Sequence, residues 1–119
     1  MKIVLTTETS LAALVLKNQI IATVKGELKD VSIDTWAYTK SGDNYDIVYH
    51  DVPQYVNTPE KNVLFRVEIE GNEVTFSTAW WRNKPEPNRD MLCLHTGRLT
   101  EMLLRYFPGT WVRFNVLNY

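Results

Sequence analysis

The sequence predicts an α+β fold: a two-layer domain with a mainly antiparallel sheet of five to six strands and two helices packed on one face. Three observations predict it. Two alternating apolar/polar runs, 62–70 and 73–81, flank Gly71-Asn72, a pair suited to the positive φ of a tight hairpin turn. A second pair of extended runs, 31–40 and 45–52, flanks the turn-forming Ser41-Gly42-Asp43-Asn44. Two stretches with helical spacing, about 9–24 and 89–107, lie outside the hairpins. Sequential hairpins pair antiparallel, and helices segregated from them share one sheet face.

Taken in order, Lys2 to Thr6 reads as a short strand. Thr9 or Ser10 can cap a helix by accepting a bond from a first-turn amide, and Gly26 suits its left-handed end. Leu11, Leu14, Val15, Ile21 and Ala22 recur at helical spacing, although β-branched residues also allow 20–24 to be a strand. In the first hairpin, 31–52, pairing Lys40 with Tyr45 sets Tyr38 against Ile47 and Trp36 against Tyr49. The other face then holds Thr35 with His50 and Ile33 with Val52. Pro53, Asn57 and Pro59 break the next segment into a loop or crossover.

The central hairpin, 62–81, has the clearest register. Pairing Glu70 with Glu73 puts Ile69, Val67, Phe65 and Val63 opposite Val74, Phe76, Thr78 and Trp80 on one apolar face. The other face pairs Glu68 with Thr75, Arg66 with Ser77, Leu64 with Ala79 and Asn62 with Trp81. A slip of one residue would invert every side chain. Pro85 and Pro87 then hold the chain extended, and Asn88 can cap the second helix. Its apolar stripe is Leu92, Thr96, Leu99, Leu103 and Tyr106. Beside it lie Arg98, Glu101 and Arg105, with Glu101 four residues before Arg105. Gly97 leaves open a helix that starts only near Thr96, with 91–95 extended. Pro108-Gly109 stops the helix, and 110–117 forms a last strand with Val112, Phe114 and Val116 inward.

Size and composition set bounds. At 119 residues, with 45% hydrophobic residues, the chain is a single domain, 1–119, large enough for its own core. One cysteine, Cys93, rules out an intramolecular disulfide. Thr6 to Ser10 interrupts any signal-peptide core, and the apolar stretch 11–24 is too short and polar to span a bilayer. A soluble, cytoplasmic protein is expected, with no membrane association. A phage or plasmid origin suits a small domain of this kind, but no residue marks it. The net charge of −1 conceals an asymmetry: lysine and acidic residues dominate before Arg82, arginine after it.

Candidate chemistry is sparse. His50-Asp51 places a carboxylate beside an imidazole, yet strand neighbours point to opposite faces. Cys93 and His95 supply too few donors for a zinc site, and with no oxyanion hole in view they read as a buried thiol and a boundary histidine. Asp43 to Asp46 lacks the remainder of a calcium loop, so Asp30, Asp34, Asp43, Asp46 and Asp51 read as turn formers and edge solvation. No phosphate loop or catalytic signature is present. The expectation is therefore no cofactor and no metal.

Strand parity leaves Trp81 and Trp111 outside the core, beside Arg82 and Arg113. Tryptophan and arginine dominate contact hot spots. The leading expectation is a non-catalytic protein-binding module, an inhibitor, immunity-type protein or adaptor, acting through Trp81, Arg82, Trp111 and Arg113 on another protein or on a second copy as a homodimer. Two alternatives are carried. One is a single-stranded nucleic-acid-binding protein, since these residues can stack bases and hold phosphates, although the near-neutral charge opposes it. The other is a small enzyme using His50 with Tyr49, Asp51 or Cys93.

Overall fold

The structure, a computed structural model, describes residues 1–27 and 33–118. Asp30, Val31 and Ser32 lie outside the described residues, and so does the expected start of the first hairpin. The elements are β1 (Lys2–Thr6), α1 (Ser10–Val24), β2 (Trp36–Lys40), β3 (Asp46–His50), a short α2 (Pro53–Val56), a 3-10 turn (Pro59–Lys61), β4 (Leu64–Glu70), β5 (Glu73–Ala79), α3 (Arg89–Tyr106) and β6 (Arg113–Leu117). The strands form one open antiparallel sheet in the order β2-β3-β4-β5-β1-β6. One sheet face is covered by α1 and α3: Leu16 and Ile20 of α1 and Leu99 and Leu103 of α3 share a core with Ile3, Leu5, Phe65, Val67, Val74 and Phe76. Each such fully buried aliphatic or aromatic side chain contributes about 1.5–3 kcal/mol relative to exposure.

The central hairpin has the expected register from Glu70↔Glu73 to Leu64↔Ala79. Gly71, at φ +60°, supplies the first central residue of the turn. The turn is also tied to the β1–α1 junction. Thr7 donates through its amide (2.8 Å) and its hydroxyl (2.7 Å) to the Asn72 carbonyl, and Asn72 Nδ2 donates back to the Thr7 carbonyl (2.8 Å). Beyond Ala79 the ladder stops. The chain turns back, Lys84 donating to the Trp81 carbonyl and Asn83 adopting φ +66°, so alternation no longer fixes direction. Trp80, expected opposite Val63 in the core, is 40% exposed.

The first hairpin is shifted by one residue from expectation. Lys40 pairs with Asp46, Tyr38 with Val48 and Trp36 with His50. Ser41 and Tyr45 close a three-residue loop, Ser41 donating to the Tyr45 carbonyl (3.0 Å), and Asn44 sits at φ +69°. A left-handed residue after a turn is how a three-residue hairpin loop absorbs its extra residue. The shift puts Trp36, Tyr38, Val48 and His50 on the helix-covered face, and Ile47 and Tyr49 on the other. Asp46 anchors α1 there: Lys17 Nζ approaches Oδ2 at 2.8 Å and Tyr38 donates to Oδ1 at 2.6 Å. Burial alone would raise the Asp46 carboxyl, but Lys17 and Tyr38 outweigh it and hold it low. The hydrogen bond to Asp46 is the chief reason the Tyr38 phenol is pushed up to about 12.

Both long helices are continuous. Thr9 caps α1 by accepting from the Ala12 amide (3.0 Å), and Gly26 (φ +77°) closes it with Glu27 donating to the Ala22 carbonyl. Its buried face is Ala13, Leu16, Ile20, Thr23 and Val24, whereas the expected Leu11, Leu14 and Val15 point outward. The segment is apolar nearly all round, so spacing could not choose the face. Asn88 caps α3 by accepting from the Met91 amide (2.9 Å), and the helix runs through Gly97 without interruption. Arg98 reaches Glu101 at 3.4 Å, and the expected Glu101–Arg105 pair does not form. The proline-broken segment 53–61 is not plain loop: Pro53 and Pro59 each start a short helical turn, where a missing amide costs nothing.

A Cβ added at Gly97 would meet nothing within 4 Å. Gly97→Ala is therefore expected to stabilise the protein by about 1 kcal/mol, raising the melting temperature by roughly 4 °C. An unchanged or lower midpoint in a calorimetric scan contradicts a helical Gly97.

Candidate functional site

The four residues singled out by parity do not form one surface. Trp81 and Arg82 follow β5 and line a groove of about 700 Å³ on the helix-free sheet face. Trp111 and Arg113 lie at the opposite edge, on and before β6, beyond β1. Arg113 is exposed on that edge strand. Trp111 precedes the strand and leans inward, its ring 5.4 Å from Phe114, and both pack against the core. Of the inward residues expected on β6 only Phe114 packs; Val112 and Val116 are exposed because the helices do not reach over the sheet edge.

The groove has an apolar floor and a cationic, aromatic wall. Ile47 and Leu64, on adjacent strands, are 3% and 2% exposed although no helix covers them. Arg66 projects from β4 beside Leu64, its guanidinium 3.5 Å from the centre of the Tyr45 ring. Its Nε is buried with no hydrogen-bond partner; the Glu68 carboxylate is 3.9 Å away. Arg82 stands at the rim, 3.7 Å from Asp43, with both side chains largely in solvent. Such an exposed pair contributes little to stability. Trp81 also borders a smaller recess of about 240 Å³ with Asn62, whose Oδ1 is buried and unpartnered.

A second opening, about 420 Å³, lies on the helix side between β2–β3 and α3. The hairpin shift turns His50 into it. His50 Nδ1 is 2.9 Å from the Thr35 carbonyl, which assigns the proton to Nδ1 and leaves Nε2 a lone-pair acceptor. The ring lies 5.1 Å from Trp36, 5.5 Å from Tyr55 and 6.0 Å from His95. His95, on the buried stripe of α3, is wholly inaccessible and packs edge-on to Tyr55 at 4.6 Å. Neither of its ring nitrogens has a hydrogen-bond partner of sound geometry. Burial, then the neighbouring His50, push its pKa down to about 4, against a weaker opposite pull from the Lys61 backbone. His50 is also lowered, mainly by burial, with the Thr35 carbonyl opposing.

Of the three partners considered for His50 in catalysis, Asp51 is its exposed chain neighbour, and Tyr49 and Cys93 do not join it. Tyr49 faces the other side of the sheet, and burial followed by Asp51 raises its phenol. Cys93 is exposed on α3 rather than buried, and His95 rather than Cys93 neighbours His50. Among the described residues no group of three His, Cys, Asp or Glu is placed to hold a metal ion, and no helix is long and apolar enough to cross a membrane. At this opening His95, expected as a boundary histidine, is a residue whose burial sequence reasoning missed. Its signal was its position four residues before Leu99, visible once the helix is carried through Gly97.

His95 sets a pH response. Its folded pKa lies below the ordinary value near 6.5, so the unfolded chain takes up the proton first as pH falls. The stabilisation is complete above about 6.5, declines between there and about 4, and then levels off, a loss on the order of 3 kcal/mol. His95→Phe keeps a ring against Tyr55 and is expected to flatten that part of the stability–pH curve in urea unfolding. A slope unchanged by the substitution places the titration elsewhere.

Searches against protein families, characterised proteins and solved structures return no match for this chain.

Proposed function

We propose that the protein is a non-catalytic binding module that holds a segment of another protein in the groove on its helix-free face. The observation that carries this reading is the wall formed by Trp81, Tyr45, Arg66 and Arg82 over the apolar Ile47–Leu64 floor. A single helix-free sheet face is ordinarily solvated by polar residues. Here it holds two fully buried aliphatics, an indole and a buried guanidinium N–H without an acceptor. The groove supplies donors: Arg66, Arg82 and the indole N–H. A partner segment with a carboxylate or free carbonyls beside an apolar side chain would satisfy them together. Trp81 would be the anchor, since a large rigid ring loses little entropy on contact. Such a protein acts by occlusion or scaffolding, as inhibitors, immunity proteins and adaptors do. A second copy of the chain is the alternative occupant.

Trp81→Ala and Trp111→Ala separate the two tryptophans. In quantitative affinity capture from the native host, Trp81→Ala is expected to reduce the specific partner at least tenfold, about 1.4 kcal/mol or more, while melting near wild type. Trp111→Ala is expected to retain capture and to lose about 1–3 kcal/mol of stability through its contacts with Phe114. Equal capture by wild type and Trp81→Ala removes the groove as the binding surface. Concentration-dependent sedimentation abolished by Trp81→Ala identifies the occupant as a second copy.

A further inference from the structure

We propose that the helix-side cavity is a separate binding site for a small planar anion: a ring bearing a carboxylate or a phosphate. The cavity's volume, about 420 Å³, is in the range of small-ligand sites. Its wall combines two kinds of group. Tyr106 offers half-buried flat apolar surface, while Trp36, 5% exposed and held tilted against His50 and Phe65, closes the inner wall. Arg98 and Arg105, two turns apart on α3, offer cations at the rim.

The opening is lined by two cations, Arg98 and Arg105, and two carboxylates, Asp34 and Glu101. Glu101 is shared with Arg98 at 3.4 Å. Asp34 also borders the cavity and has a contact of its own. Arg105 has no carboxylate within ion-pair distance among the described residues; its guanidinium lies 5.5 Å from the Tyr106 ring centre. A ring seated against Tyr106, with Trp36 behind it, would carry its anion to Arg105 and the outer side of Arg98. Arginine's planar fork matches both carboxylate and phosphate oxygens. His50 adds direction. Its Nδ1–H is committed to Thr35, so Nε2 is left to accept a hydrogen bond from a ligand N–H or O–H. The required ligand therefore has a flat body, an anionic end and a hydrogen-bond donor on the ring. Trp81 and the groove on the opposite face take no part.

The test uses the full chain labelled with nitrogen-15 and four probes at millimolar concentration: uridine 5′-monophosphate, uridine, inorganic phosphate and 4-hydroxybenzoate. At least one probe that joins ring and anion is expected to shift the Trp36, His50 and Arg105 signals saturably. Uridine and phosphate alone are expected to bind at least about tenfold more weakly. The better of the two joined probes tells phosphate from carboxylate. Arg105→Gln is exposed and should fold, and it is expected to weaken the joined probe about tenfold or more, the cost of one charge-assisted contact. His50→Gln should weaken it without abolishing it. Trp81→Ala should leave it unchanged, which keeps this result independent of the groove. Absence of saturable shifts with every probe overturns the proposal. So does equal binding by Arg105→Gln and wild type, or shifts centred on the groove.

Discussion

The pairing of β4 with β5 is the constraint on which the remaining structure depends. It turns Phe65, Val67, Val74 and Phe76 to one side, and both long helices pack against that side. The opposite side is left with Leu64, Arg66, Thr75 and Ser77. A slip of one residue would bury Arg66, Glu68 and Ser77 under the helices, at several kcal/mol for each uncompensated group. The turn that sets the pairing is also held from outside, because Thr7 and Asn72 exchange three hydrogen bonds at the junction of β1 and α1. The bend, the first strand and the first helix are thus positioned by one small knot of polar contacts.

The first hairpin shows how one backbone torsion determines chemistry. With a plain two-by-two register, His50 would face outward with Ala37. The left-handed Asn44 adds a residue to the loop, and every side chain of β3 changes sides relative to β2. His50 joins Trp36, Tyr55 and His95 under α3, while Ile47 moves to the groove. Both openings owe residues to β3, on alternate positions of a single strand. Asn44→Ala, which disfavours positive φ, would strain both at once.

What could be read from sequence follows from where alternation holds. Inside β4 and β5, every residue alternates and the full ladder was legible. Outside the ladder the rule has no force: Trp80, Trp81 and Trp111 all lie just beyond strand ends, and each required tertiary information to place. Helix α3 has one apolar stripe and its buried face was legible from Leu92 to Tyr106, apart from His95 and Met102. Helix α1 has apolar residues on all sides, so Leu11 and Leu14 could not be told from Leu16 and Ile20. The caps Thr9 and Asn88, and the stops at Gly26 and Pro108, were legible because each depends on local backbone geometry rather than on packing. Trp81 and Arg82 of the groove were singled out in the sequence, but by a parity that ends at Ala79. Tyr45 and Arg66 were not, because their stacking crosses between hairpins.

The same molecule breaks the rule of satisfied buried polar groups at a few places, and their distribution is informative. Among the described residues, the buried side-chain atoms without a hydrogen-bond partner belong to Asn62, Arg66 and His95. Asn62 and Arg66 border the openings that share Trp81; His95 lies edge-on to His50, 6.0 Å away, at the other. Chance placement in a structural core would favour no such coincidence, since buried polar groups are nearly always paired. A fold optimised for stability alone would put apolar residues at these three positions. Keeping polar ones costs free energy at each, and that cost is concentrated beside the surfaces where a bound partner or ligand would supply or reorganise the missing contacts.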